Sequence, residues 1–358
     1  MYNTTQSNIY ESLSELMKMY PEQLSEQIQL DIENFGSFCS HQAESDSQKL
    51  LASIFVNALQ KRIFAETGKE HIYLQKDEIP QIRLFDVLIK KFPFVKYSQE
   101  IINNAIIKHI KQCDVVTIVD IGIGLGTQMM NIIELSKDLP MLKKMNIIGI
   151  EPFADGLDKA EANILALNKK VPFEISFTAI NEFVENVDFS AIKGISGKLI
   201  VNASLALHHI QSLEKRQEII DSISEMSPAA FFLTEPNVNN YELDYQLRFK
   251  NCYNHFYSIF QVIDKIEDIN TEDKNALKRF FGREINDIMG NEDQDRYERH
   301  EPAQFWINRL KESNFILRSD LIELPIETPE GVKINFHEDG FLGFTFENET
   351  VLSVIYAC

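Results

Sequence analysis

Apolar residues recur at helical spacing through the first third of the chain. Leu13, Leu16, Met17 and Tyr20 share one helix face, and Pro21 ends that run. Leu50, Ile54, Ala58, Leu59 and Ile63 make a second stripe, closed by Gly68. Ile82, Phe85, Leu88 and Ile89 make a third before Pro93, and Ile101, Ile102, Ala105, Ile106 and Ile110 a fourth. Few segments here look like strands, so residues 1–113 are expected to form a helical lobe or cap.

The pattern changes at Val115. Val115-Val116-Thr117-Ile118-Val119 is short, β-branched and apolar, as a strand covered on both faces should be. Asn146–Ile150, Phe173–Thr178, Gly197–Val201 and Ala229–Leu233 read as further strands, separated by helices near 128–137, 154–167 and around Ile219 and Ile223. Strands alternating with helices imply a parallel sheet with right-handed crossovers. Beyond Asn240 helical spacing returns over about 241–263, 272–289 and 302–313. Three strand-like runs, Phe315–Leu324, Gly340–Phe346 and Val351–Tyr356, close the chain. The expected fold is α/β: a Rossmann-like core over 114–240, a helical insertion over 241–300 that joins the cap, and core strands over 301–358. A mostly parallel sheet ending in antiparallel strands resembles the class I methyltransferase core.

Composition narrows the function. The chain has 358 residues, 44% hydrophobic, enough for a large core. Asp+Glu number 54 against 35 Lys+Arg, a net charge of −19, which disfavours nucleic acid and anionic lipid. Cys39, Cys113, Cys252 and Cys358 are far apart and without histidines at zinc spacing, so neither a disulfide framework nor a metal site is expected. A polar N-terminus and the lack of any apolar run of about 18 residues point to a cytoplasmic protein without a membrane span.

The candidate chemistry gathers at strand ends. Asp120-Ile-Gly-Ile-Gly-Leu-Gly126 lies where a buried strand meets a helix, and Gly122, Gly124 and Gly126 allow a sharp turn and close ligand approach. The D-x-G-x-G-x-G pattern fits a turn that holds S-adenosylmethionine. Glu151 ends the next strand, where an acid can take both ribose hydroxyls. The fourth strand runs into Asn202 and Leu207-His208-His209, and the fifth into Glu235-Pro236-Asn237. In a parallel sheet these ends face one crevice. Asn202 is therefore expected to join Asp120, the three glycines and Glu151 around the cofactor. His208, His209 and Glu235 are candidate acid–base groups, although each histidine taken singly is more simply read as packing under the cofactor loop or as solvated. Asn237, Tyr241 and Arg299 are candidates for substrate contact. Arg296–Pro302 is the densest polar cluster, and with Gly282-Arg283-Glu284 just upstream in an apolar helix, Arg283 or Arg299 paired with Glu284 or Glu301 would pin the insertion to the core.

Several segments resemble the GRAS family. Val115–Asp120 is similar to its V-H-I-I-D motif, preceded by Phe92–Tyr97 and Asn103–Ile106, which are similar to its first leucine-rich region. Val201-Asn202 with Leu207-His208, and Thr234–Asn239, resemble the following motifs. Phe281–Ile285 and Tyr297–Pro302 resemble L-G-R-E-I and V-E-R-H-E-P, and Trp306, Arg309-Leu310 and Asn314-Phe315 resemble the start of the terminal SAW region. The resemblance implies a Rossmann-type methyltransferase core under a helical cap. It also implies one of two roles: transcriptional regulation through protein partners, commonly as dimers, as in plants, or small-molecule methylation, proposed for bacterial relatives. The intact glycines and the lack of a long disordered N-terminal region favour the bacterial type. The leading expectation is thus an S-adenosylmethionine-dependent small-molecule methyltransferase. The alternative is a non-catalytic interaction protein that grips a partner through the helical lobe, as a ligand sensor or a host-directed effector.

Overall fold

A computed structural model describes residues 6–20, 25–64, 81–325 and 327–358. The endings assigned to Pro21 and Gly68 lie outside these residues, as do the side chains of Ile82 and Phe85. Five strands follow the expected apolar runs: β1 (Val115–Ile121), β2 (Lys144–Ile150), β3 (Glu174–Ile180), β4 (Lys198–Ser204) and β5 (Ala230–Pro236). All pair in parallel. Three more, β6 (Val332–Phe336), β7 (Leu342–Phe346) and β8 (Glu349–Ala357), complete one sheet in the order β3-β2-β1-β4-β5-β8-β7-β6. Strand β8 runs antiparallel to β5, and β7 and β6 continue antiparallel. The result is a mixed α/β fold with a mostly parallel, Rossmann-like sheet.

Period-2 alternation sends successive side chains to opposite faces. Val116 and Ile118 of β1, Ile147 of β2, Ile200 of β4 and Phe232 of β5 join one core. That core is shared with α1 (Gln6–Lys18), α2 (Glu26–Ser40), α3 (Ser47–Ile63), α4 (Gln81–Lys91), α5 (Pro93–Ile110), α6 (Thr127–Ser136), α7 (Ala154–Ala166), and the long helices α9 (Tyr245–Asp264) and α10 (Thr271–Gly290). Val119, Ile121, Ile148, Val201 and Leu233 face the other way, onto α8 (Leu213–Glu225) and Trp306 of α11 (Ala303–Glu312). The cap helices therefore bury their apolar stripes together with one face of the sheet. Helix α5 starts on Pro93 at its first turn and lies on that face, where Phe94 meets Phe344 edge-on and His109 Nε2 is 2.7 Å from the Tyr356 hydroxyl.

The structure corrects three sequence expectations. Phe315–Leu324 is not a strand: it contributes one isolated bridge, Leu317 to Ala357, while Phe315 and Leu317 pack individually onto the α11 side. The missing partner of β7 is β6, a short edge strand that alternates only weakly. Helix α9 begins at Tyr245 rather than Tyr241, because the Asp244 side chain caps it by accepting from Leu247 N.

Candidate functional site

Strand parity decides what stands at the glycine turn. Asp120 has the parity of Val116 and Ile118, and its register neighbour Asn202 that of Ile200, so both point toward the cap side. Asn202 Nδ2 donates to Asp120 Oδ1 at 2.7 Å and lies 3.3 Å from Gln128 Oε1, and Gln128 Nε2 donates to Asn103 Oδ1 at 3.1 Å. This links β1, β4, α6 and α5 in one buried polar chain. Neither Asn103 nor Gln128 is among the candidate site residues, because an amide within an amphipathic helix gives no local sign of a buried polar chain. Asn202 Oδ1 accepts no hydrogen bond although the residue is fully buried. A buried acceptor of this kind calls for a donor.

The three glycines have different tasks. All have positive φ: Gly122 +74°, Gly124 +53° and Gly126 +76°. A Cβ on Gly122 would lie 2.8 Å from Ala206 Cβ, and one on Gly126 would press on Ile164 and Ala160, so these two serve packing. A Cβ on Gly124 would meet nothing within 4 Å, which is the open approach a ligand needs. Gly124 N donates to Glu151 Oε2 at 3.1 Å, and Phe153 N to Glu151 Oε1 at 3.3 Å. The expected acid at the end of β2 thus stands directly against the turn. Burial raises the Glu151 pKa, and the two N–H groups oppose that rise.

Asp120 carries a pH signature. Burial pushes its carboxyl up to about 7 against the opposing Asn202 hydrogen bond, with Glu151 adding to the rise. The folded protein then keeps a proton that the unfolded chain releases near its ordinary value of 3.8. This group's contribution to stability is present in full below that value and is lost as pH rises through about 7. The stability of the wild type minus that of Asp120→Asn is therefore expected to fall across this window in urea titrations at stepped pH. A difference that stays flat would show that Asp120 ionises normally.

The other sequence candidates gather on the opposite side of the loop after β4. Glu235 Oε1 accepts from Leu207 N at 2.8 Å and Ala206 N at 3.3 Å, fixing that loop over Gly122, and its Oε2 lies 2.6 Å from His208 Nδ1. His208 Nε2 is 3.5 Å from Glu298 Oε2, and His209 Nδ1 is 3.4 Å from Glu298 Oε1. Burial disfavours the imidazolium of His208, but the Glu235 and Glu298 carboxylates outweigh it and push its pKa up to about 10. Burial alone would raise Glu235; the charge and hydrogen bond of His208 hold it below its usual range. His300, by contrast, is driven down to about 4 by burial.

The remaining candidates hold structure in place. Asn237 donates to Thr350 O at 2.9 Å and accepts from Ala303 N at 2.8 Å, tying the end of β5 to β8 and α11. The Tyr241 hydroxyl donates to Gln211 O at 2.6 Å, and its ring lies beneath both Arg216 and Arg299. Arg299 donates to the carbonyls of Arg296 and Asp293. The pinning of the insertion takes a different form from the one expected. Glu301 pairs with Arg216 of α8 and Arg309 of α11, and Glu284 faces His300 at 3.7 Å. Glu298, His300 and Arg216 were not selected from the sequence, where they read as a charged run and an ordinary surface helix.

Fold and site together define an α/β protein with a Rossmann-like sheet and a glycine-rich strand-to-helix turn beneath packed helices. The chain belongs to the GRAS domain family, whose model matches residues 15–319. It is similar to Scarecrow-like protein 31 of Arabidopsis thaliana, at 27% identity over 82% of this chain and 46% of that protein. It is also similar to Scarecrow-like transcription factor PAT1 of the same plant, at 25% identity over 64% of this chain and 50% of the relative. The crystal structure of SCL7 from Oryza sativa superposes with a TM-score of 0.81 at 19% identity, covering 99% of this chain and all of that one. This chain spans about half the length of the curated relatives it matches.

Proposed function

We propose that this chain is a non-catalytic GRAS-type regulatory protein that acts through a protein partner, with the glycine turn serving as a sensor pocket for an adenosyl ligand of the S-adenosylmethionine kind. The observation that carries the non-catalytic half is the locking of the acid–base candidates. His208, Glu235 and Glu298 are buried against one another, with His208 Nδ1 held on Glu235 and Nε2 turned to Glu298, so neither ring nitrogen faces an incoming hydroxyl. The relative whose printed name is a transcription factor supports a regulatory role. A net charge of −19 argues against direct binding of nucleic acid.

The residues at the turn fit the ligand. Glu151 is the acid for the ribose hydroxyls, Gly124 leaves room above the backbone, and Asp120 with the unsatisfied Asn202 Oδ1 suits an ammonium group. S-adenosylmethionine, when bound, would bring an electrophilic methyl group. Transfer to a nucleophile that needs no base remains the second reading, since it demands only positioning. Calorimetric titration with S-adenosylmethionine is expected to show micromolar binding. Incubation of the loaded protein with methyl-labelled cofactor and cell extract is expected to transfer no label. Transferred label would overturn the non-catalytic reading, absence of binding would remove the sensor pocket, and cross-linking that captures no partner would count against the interaction role.

A further inference from the structure

Three pieces of chain, one of them some distance in sequence from the other two, bring imidazoles and carboxylates to one point. His208 and His209 come from the turn after β4, Glu284 from α10, and Glu298 and His300 from the segment between α10 and α11. We propose that His208 Nε2, His209 Nδ1 and the Glu298 carboxylate form a binding site for a divalent cation of the zinc class, with Glu284 and His300 directly behind it.

Geometry carries the proposal. The donor atoms of His208, His209 and Glu298 all lie within 4.8 Å of one another, and the same holds for Glu284, Glu298 and His300. His209 Nδ1 to Glu298 Oε1 is 3.4 Å and His208 Nε2 to Glu298 Oε2 is 3.5 Å, both long for hydrogen bonds. Two ligands of one tetrahedral zinc, each about 2.0–2.1 Å from the ion, stand roughly 3.3 Å apart. The side chains are therefore spaced as ligands of a common ion.

Two independent features point the same way. Glu298 Oε1 is buried and accepts no well-formed hydrogen bond, with His209 Nδ1 standing 3.4 Å away. Behind His208, Glu235 Oε2 sits 2.6 Å from Nδ1 and takes its N–H, which aims Nε2 at Glu298 as the ligating atom. A carboxylate behind a histidine is the usual outer support of a metal-bound imidazole, and the cation takes the place of the Nε2 proton. The donor set selects the ion class, since imidazole suits zinc, copper or nickel far better than magnesium or calcium. His209, with its side chain 26% exposed, is the member that reaches solvent and gives the ion a path in. The expectation of no metal rested on local spacing, whereas these ligands meet only through the fold.

Such an ion would be structural, fastening the loop over Gly122 to the insertion, and it is independent of the ligand pocket. The test uses untagged full chain stripped with a chelator, titrated with Zn²⁺ against a chromophoric competitor and with Co²⁺ followed by its visible absorption. One equivalent is expected to bind, with the intense cobalt band of a four-coordinate site and a rise in the thermal midpoint. His209→Ala, at the rim, should weaken Zn²⁺ binding by about a hundredfold or more, and the exposed His41→Ala should leave it unchanged. Glu298→Gln should abolish binding wherever its circular dichroism shows a folded chain. No zinc retained against the competitor, or full affinity in folded His209→Ala, would overturn the site.

Discussion

Replacing Arg216 by methionine is expected to lower the unfolding free energy by about 3–5 kcal/mol, the range for stripping one partner from a buried ionic network. Arg216 is 1% exposed, yet it projects from α8 into the junction of three chain segments. Its Nε donates to Ile210 O at 2.9 Å, and one terminal nitrogen donates to His208 O at 2.6 Å and Arg299 O at 2.9 Å. The other pairs with Glu301. The guanidinium lies between the rings of Tyr241 and Trp306, each about 5 Å away. Methionine preserves most of the packing but strands three carbonyls and leaves Glu301 to Arg309 alone. Lysine keeps the charge and lacks the planar fork, so Arg216→Lys should fall much closer to the methionine variant than to wild type. Urea unfolding at constant m-value measures both. A loss under about 1 kcal/mol for Arg216→Met would show that the junction holds without its central cation.

What could be read from the sequence was what local periodicity encodes. Strands β1, β2, β4 and β5 declared themselves because burial on both faces favours a short, near-continuous apolar run. The glycine turn and Glu151 were legible because their spacing follows from one strand–turn–helix unit. Helix α2 gave no clear stripe, since its buried face rests on only Ile32, Phe35 and Cys39 and it carries Gly36, where a Cβ would come within 3.1 Å of Val56. Strand β6 was hidden for a related reason, being an edge strand with one buried residue. Phe315–Leu324 misled in the opposite direction, because its apolar residues mimic a full strand in composition while only Ile316–Arg318 hydrogen-bond to the end of β8. The meeting of Glu298 with His208 and His209 lay beyond reach, although both histidines stand out in the sequence. His208 is 90 residues away from Glu298 along the chain, and a buried ion network has no one-dimensional period.

Gly124→Asp is expected to abolish binding of S-adenosylmethionine, weakening it by at least about a hundredfold, or ~2.7 kcal/mol, while leaving the fold within about 1 kcal/mol of wild type. The two effects separate because of what surrounds the position. A side chain at 124 enters open space, and aspartate tolerates φ near +53° better than most residues. Its carboxylate would then stand beside Glu151, in the space proposed for the ligand's ribose, adding bulk and like charge. Gly122→Ala should behave in the reverse way. Its φ of +74° and the 2.8 Å approach to Ala206 Cβ make the new methyl destabilising by about 1–3 kcal/mol, and the strain falls on the loop that Glu235 holds. Calorimetry reports ligand affinity, urea unfolding reports stability, and capture of the cross-linked partner reports interaction. If Gly124→Asp binds the ligand normally, the turn is not the pocket. If it loses the ligand but keeps its partner, sensing and gripping occupy different surfaces. If both are lost from a folded chain, the ligand at Gly124 controls the surface that the partner recognises.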